Sequence, residues 1–85
     1  MSIKSILPQT HNNYAVLLKK QGRPLEAEEQ YQQALKLNPD YATAHNNYAI
    51  LLNKQGRPQE ASEHFRRARE LGLSDISSSK ESGDN

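Results

Sequence analysis

The stretch Thr10–Leu37, THNNYAVLLKKQGRPLEAEEQYQQALKL, returns 34 positions later as Ala44–Leu71, AHNNYAILLNKQGRPQEASEHFRRAREL. Most aligned positions are identical or conservatively replaced, and chance does not produce a match of this length. Self-similarity at such a period marks a repeat architecture, in which each unit buries its apolar face by stacking on a neighbour. The sequence therefore predicts two copies of one supersecondary unit.

Each unit is predicted to be a helical hairpin. Gly22 and Gly56 lie midway through the two units, and each is followed by Arg-Pro. Glycine permits the left-handed residue that ends a helix, and proline suits the first position of the next helix. Apolar residues recur at intervals of three and four, which is the helical period. The four helices are expected at roughly residues 8–21, 24–37, 40–55 and 58–71.

The segment Asn38-Pro39-Asp40 joins the two units. We expect it to supply the N-cap and a first-turn proline for the third helix. Alanine recurs where the two helices of a hairpin approach closely, with Tyr31 and Phe65 filling the space beside it. These small positions are Ala15, Ala27, Ala34, Ala49, Ala61 and Ala68.

Composition excludes several classes of function. A chain of 85 residues supports one small domain, and its lack of cysteine removes disulfides, thiolate catalysis and Cys-ligated metal sites. A net charge of +1 gives no overall attraction to nucleic acid or to a membrane surface. The apolar start is broken by Ser5 and Pro8 and is too short for a signal peptide. We therefore expect a soluble, cytoplasmic protein with neither nucleic-acid nor membrane partners.

Catalytic and metal motifs are missing from the sequence. There is no GxSxG, P-loop, HExxH or dinucleotide-binding glycine pattern, so we expect no catalytic residues, no enzyme activity and no cofactor. His11 and His45 stand where a bulky core residue belongs, and no ligand partner stands three or four residues away, so no metal site is expected. Glu60 and His64 are expected to form an exposed pair one helical turn apart. Arginines of the last helix alternate with acids, which favours a solvated, salt-linked face over a nucleic-acid stripe.

The string G-x-x-x-E-A-x-x-x-Y/F-x-x-A, with Pro39 five residues beyond the last alanine of the first unit, closely resembles the tetratricopeptide repeat. The resemblance covers residues 8–74 and implies an all-α fold, an α-α superhelix of two antiparallel helix hairpins. The departures exchange aromatic bulk between neighbouring positions, with histidine where the family often has tryptophan. They lie at His11 and His45, at Tyr14 and Tyr48, and at Leu18 and Leu52.

The resemblance divides the chain into four parts. A lead segment or lid spans residues 1–7, the first repeat 8–41, the second repeat 42–74, and a disordered tail 75–85. The tail, rich in serine, lacks the apolar residues that would offset the entropy of ordering it.

The resemblance also implies a function in binding a peptide or a partner protein. In this family the first helix of each unit lines a concave groove, into which residues five, six, nine, twelve and thirteen of the repeat point. The corresponding residues are Asn12, Asn13, Val16, Lys19, Lys20, Asn46, Asn47, Ile50, Asn53 and Lys54.

Each residue type in this set suits a peptide ligand. An asparagine amide both donates and accepts, so Asn13 and Asn47 can hold peptide backbone, as in the similar asparagine ladder of O-linked N-acetylglucosamine transferases. Lys20 and Lys54 favour an acidic partner. A solvated helix face without function is the alternative for these amides. The carboxylate clamp of chaperone adaptors is only partly present, because Asn12 replaces its lysine.

The two ends of the repeat array differ. Arg69 replaces Leu35, whose position normally packs on a following repeat, so the second unit has the polar outer face of a terminal repeat. Tyr14 and Leu17 form an uncovered edge of the first unit, unless Ile3, Ile6 and Leu7 fold over it or two chains pair through it. The second functional interpretation is therefore a self-associating structural or scaffold fragment, excised from a longer array or engineered, with no ligand of its own.

Overall fold

The computed structural model describes residues 7–72, and all regular structure within them is helical. It contains α1 (Pro8–Lys20), α2 (Pro24–Leu37), α3 (Ala42–Lys54) and α4 (Pro58–Glu70). The predicted all-α fold of two antiparallel hairpins is confirmed. The bounds of α2 agree with the prediction, and the ends of the other helices lie within two residues of it. None of these helices is long and apolar enough to cross a membrane.

Both hairpins turn on a left-handed glycine, as the sequence predicts. Gly22 has φ 78° and Gly56 has φ 76°. At the first turn the Arg23 amide donates to the Leu18 carbonyl at 2.9 Å, and the Gly22 amide donates to the Lys19 carbonyl at 3.1 Å. This pair of bonds is a Schellman motif, and the second turn repeats it at the same distances. The two hairpins therefore turn with the same backbone geometry.

The connection between the hairpins differs from the prediction. The side chain of Asn38 accepts the Asp40 amide at 3.1 Å, in a turn that precedes the helix. Helix α3 begins only at Ala42, and its N-cap residue Tyr41 makes no side-chain cap bond. The prediction that Asn38 caps α3, with Pro39 in its first turn, was therefore wrong, because the asparagine amide closes a local Asx turn instead.

The alanines predicted to lie at close helix contacts are all buried in the core. All six predicted small residues are at most 2% exposed, which allows close approach of paired helices. The largest fully buried side chains are those of Tyr31, Leu18, Leu51 and Leu52. Helix α2 packs on both α1 and α3, and α3 packs on α4, so the helices form one continuous stack.

Two predicted segments lie outside the described residues. Ile3 and Ile6 of the expected lid, and the whole of the expected tail at residues 75–85, belong to these parts of the chain. Leu7 is described and is 56% exposed. The division into lead segment, repeats and tail stays a prediction at these ends.

Candidate functional site

The ten predicted groove residues all lie on α1 and α3, five on each helix. The two helices contact each other directly across the boundary between the repeats. Asn13, Lys20, Asn53 and Lys54 are exposed. Val16, Lys19, Asn46, Asn47 and Ile50 are half-buried, and only Asn12 is buried. We call this set without Asn12 the groove face.

Asn12 joins the two repeats. It is 4% exposed, and its Oδ1 accepts a hydrogen bond from Nδ2 of Asn47 at 3.2 Å. At this exposure Asn12 offers little surface to a ligand, and its amide contacts the second repeat. Asn47 keeps its second N–H and its Oδ1 for further bonds, because an asparagine amide carries two donors and one acceptor.

Positive charge concentrates at the far end of the groove face. The pKa of Lys19 is lowered by partial burial and by the positive charges of Lys54 and Lys20. Lys19 therefore lies within reach of the positive charges of both other lysines, and all three belong to the last turns of α1 and α3. An anionic group placed among them would relieve that repulsion, so this end of the face attracts negative charge.

The middle of the groove face is apolar. Val16 packs against the hydrophobic core, and Ile50 occupies the equivalent position on α3. Both side chains are half-buried, so each still offers apolar surface. The face thus combines exposed amides, an aliphatic floor and a basic end.

A polar network that the sequence analysis missed links the two hairpins. The hydroxyl of Tyr48 donates to Glu28 Oε2 at 2.6 Å and accepts from Gln32 Nε2 at 3.0 Å. Nη1 of Arg57 donates to Glu28 Oε1 at 3.1 Å. Burial, and then the bond to Glu28, raise the pKa of Tyr48 to about 12. No sequence signal marks this network, because Ser62 replaces Glu28 in the second unit.

Two histidines form a second unpredicted contact. The backbone carbonyl of Pro39 can only accept, so Nε2–H of His45 donates to it at 2.8 Å. The Nδ1 of His45 then accepts from Nδ1–H of His64 at 2.9 Å, and the rings stack with centroids 5.1 Å apart. Glu60 accepts a hydrogen bond from Arg57 at 2.6 Å. Its charge also acts on His64, as expected for residues one helical turn apart, but His64 is half-buried and not exposed.

The surroundings of His64 change its pKa. Its pKa is lowered, first by burial and then by the neighbouring His45. In the first repeat the equivalent contact joins His11 Nδ1 to Gln30 Oε1 at 2.7 Å. Residues 7–72 hold no group of three or more histidines and carboxylates that would suit a metal ion.

The tetratricopeptide repeat family model matches residues 7–74, which is most of the chain. The chain belongs to this family. A comparison with curated proteins gave no match. Tetratricopeptide repeats are in general non-enzymatic modules that mediate protein–protein interactions.

Proposed function

We propose that this tetratricopeptide repeat module binds an extended, acidic segment of a partner protein along the groove face, and that it acts by binding and not by catalysis. The observation that carries the proposal is that Lys19, Lys20 and Lys54 lie in the last turns of α1 and α3, at one end of a face that also exposes amides. Like charges that lie near one another repel. Their arrangement favours a ligand that supplies the missing negative charge.

The amides would hold the backbone of the ligand. Asn13 is exposed, and Asn47 keeps one donor and one acceptor after bonding Asn12. An extended peptide presents alternating N–H and C=O groups, which such amides can pair with whatever the side chains are. The affinity then comes from backbone contacts, and the choice of partner comes from the lysines.

A charge series of synthetic peptides tests this proposal. The peptides share one apolar pattern, and their charged positions are all Asp, all Asn or all Lys. We expect the Asp peptide to bind tightest to the full chain, with an affinity that falls as salt rises. Lys54→Glu should weaken the Asp peptide about fivefold or more, since reversing one surface charge is worth about 1 kcal/mol.

Two variants separate the parts of the ligand contact. Asn13→Ala should weaken all three peptides alike, because it removes a backbone contact. Lys36→Glu, which makes the same charge change on the exposed surface of α2, should leave binding unchanged. Asn47→Ala is a poor probe, because it also removes the bond to the buried Oδ1 of Asn12. Equal affinity for the Asp and Lys peptides would overturn the proposal.

A further inference from the structure

The outward face of α1 exposes two large side chains. Tyr14 and Leu17 are 48% and 49% exposed. Their equivalents one repeat later, Tyr48 and Leu51, are 5% and 1% exposed, because α2 covers them. The same side chains at the same repeat positions thus differ in exposure, because among residues 7–72 α2 lies against the outer face of α3 and no helix lies against that of α1.

Arg23 and Arg57, which follow the turns of the first and second hairpins, also differ in their hydrogen bonds. Arg57 binds Glu60 through Nε and Nη2, and its Nη1 reaches across to Glu28. Arg23 binds Glu26 through Nε and Nη2 in the same way. Its Nη1 makes no hydrogen bond to any residue among 7–72. The local pair thus holds the Arg23 guanidinium in the arrangement that receives a carboxylate at the second repeat. We call Tyr14, Leu17 and Arg23 the α1 end face.

Helix α2 shows what chemistry fits such a face. Glu28 binds both the tyrosine hydroxyl and the arginine of the following repeat. Three residues later Tyr31 stacks on Tyr48 with ring centroids 5.8 Å apart, and at the fourth position Gln32 donates to the same hydroxyl. At the seventh position Leu35 packs against the core. These spacings place all four groups on one side of a helix.

We propose that the α1 end face binds a helix of a partner protein that carries this pattern: a carboxylate, an aromatic residue at i+3, glutamine at i+4 and leucine at i+7. The carboxylate takes the open Nη1 of Arg23 and the hydroxyl of Tyr14. The aromatic and leucine side chains cover Tyr14 and Leu17. None of these three residues belongs to the groove face, although Leu17 is a helical neighbour of Asn13 and Lys20 on α1.

A second copy of this chain stacked head to tail fits the α1 end face poorly. Its α4 would present Ser62, Arg66 and Arg69 at the positions of the glutamate, glutamine and leucine of α2. No carboxylate would then meet Arg23, and two further cations would approach it. The charge pattern thus favours a helix like α2 over a helix like α4.

The test uses a capped synthetic peptide with the sequence of residues 24–37, PLEAEEQYQQALKL, titrated into the full-length chain and followed by NMR. We expect saturable binding, with chemical shift changes at the α1 end face. A peptide with the sequence of residues 58–70, PQEASEHFRRARE, is the matched control and should not bind. In the α2 peptide, Glu28→Gln should weaken binding severalfold and Tyr31→Asp should abolish it. Peptide variants leave the folding of the protein untouched.

Protein variants locate the contact. Leu17→Asp should weaken the α2 peptide at least tenfold while the circular dichroism spectrum stays helical. Arg23→Gln should weaken the parent peptide but not the Glu28→Gln peptide, because the two changes remove one interaction. Shift changes centred on Tyr48 and Leu51 would mean that the peptide displaces α2, and would overturn the proposal. Equal binding of both helix peptides, or self-association that Leu17→Asp abolishes without any peptide binding, would overturn it too.

Discussion

Replacing Tyr48 with phenylalanine isolates the polar link between the two hairpins. The change removes one oxygen atom and leaves the ring, which stacks on Tyr31, in place. The lost hydroxyl donates to Glu28 Oε2 at 2.6 Å and accepts from Gln32 Nε2 at 3.0 Å. The glutamate side chain is only 12% exposed, so water replaces the lost donor poorly.

The magnitude follows from the charge on the acceptor. A hydrogen bond to a charged group contributes about 1.5–3 kcal/mol, more than a bond between neutral groups. Glu28 keeps its bond to Arg57 in the variant, which places the expected loss for Tyr48→Phe near the lower end of that range, at about 2 kcal/mol. For a domain of this size the loss lowers Tm by roughly 8–16 °C.

Tyr14→Phe is the matched control for this experiment. The sequence around Tyr14 resembles that around Tyr48, but its ring is about half exposed and no helix of residues 7–72 covers it. We expect a change within about 0.5 kcal/mol, as at other surface positions. Urea denaturation and thermal melts of both variants measure the difference. Equal losses in the two variants would refute the network as the link between hairpins.

Three further changes test other parts of the structure by urea denaturation. Tyr31→Phe should stabilise the fold by about 1 kcal/mol, because the buried Tyr31 hydroxyl has no hydrogen-bond partner among residues 7–72. Phe65 already occupies the equivalent position of the second repeat. A loss of stability would contradict this expectation. The pKa of His64 lies below its usual 6.5, so the unfolded chain binds the proton first as pH falls, and stability should drop below about pH 6.5. His64→Gln, which copies the His–Gln contact of the first repeat, should flatten that drop, and an unchanged pH profile would exclude this histidine as its cause. Gly56→Ala should destabilise by about 1 kcal/mol through its φ of 76° alone, since no atom lies within 4 Å of the added methyl group; unchanged stability would argue against a left-handed residue.

The fold was largely predictable because local chemistry decides it. Gly22 and Gly56 are the residues that accept a positive φ at the turns, and proline begins the helix that follows each turn. The alanines mark the close helix contacts at both hairpins. The start of α3 was harder to predict, because the Asn38 side chain can either cap a helix or close an Asx turn. Which of these two hydrogen bonds an asparagine makes depends on the conformation of the segment that joins the helices, not on the residue type alone.

The candidate site was only partly predictable, because a duplicated sequence does not show which residues of the two copies come into contact. Asn12 and Asn47 belong to different repeat positions, and only the stacking of two hairpins brings them to 3.2 Å. Tyr14 and Tyr48 both lie in the string HNNYA yet differ in exposure, because within residues 7–72 only Tyr48 has a helix on its outer side. His64 contacts a histidine 19 residues away, which helical spacing within α4 does not reveal.

Inverting the charge of the groove face tests the proposed function most directly. Lys20 and Lys54 are both exposed, so Lys20→Glu with Lys54→Glu should change the electrostatics of the face while leaving the fold intact. The affinities of the Asp and Lys peptides are then measured for the parent chain and the double variant at the same salt concentration. We predict that the parent prefers the Asp peptide and that the variant prefers the Lys peptide. The same preference in both proteins, or none in either, would contradict the assignment of the groove face as a site for acidic segments.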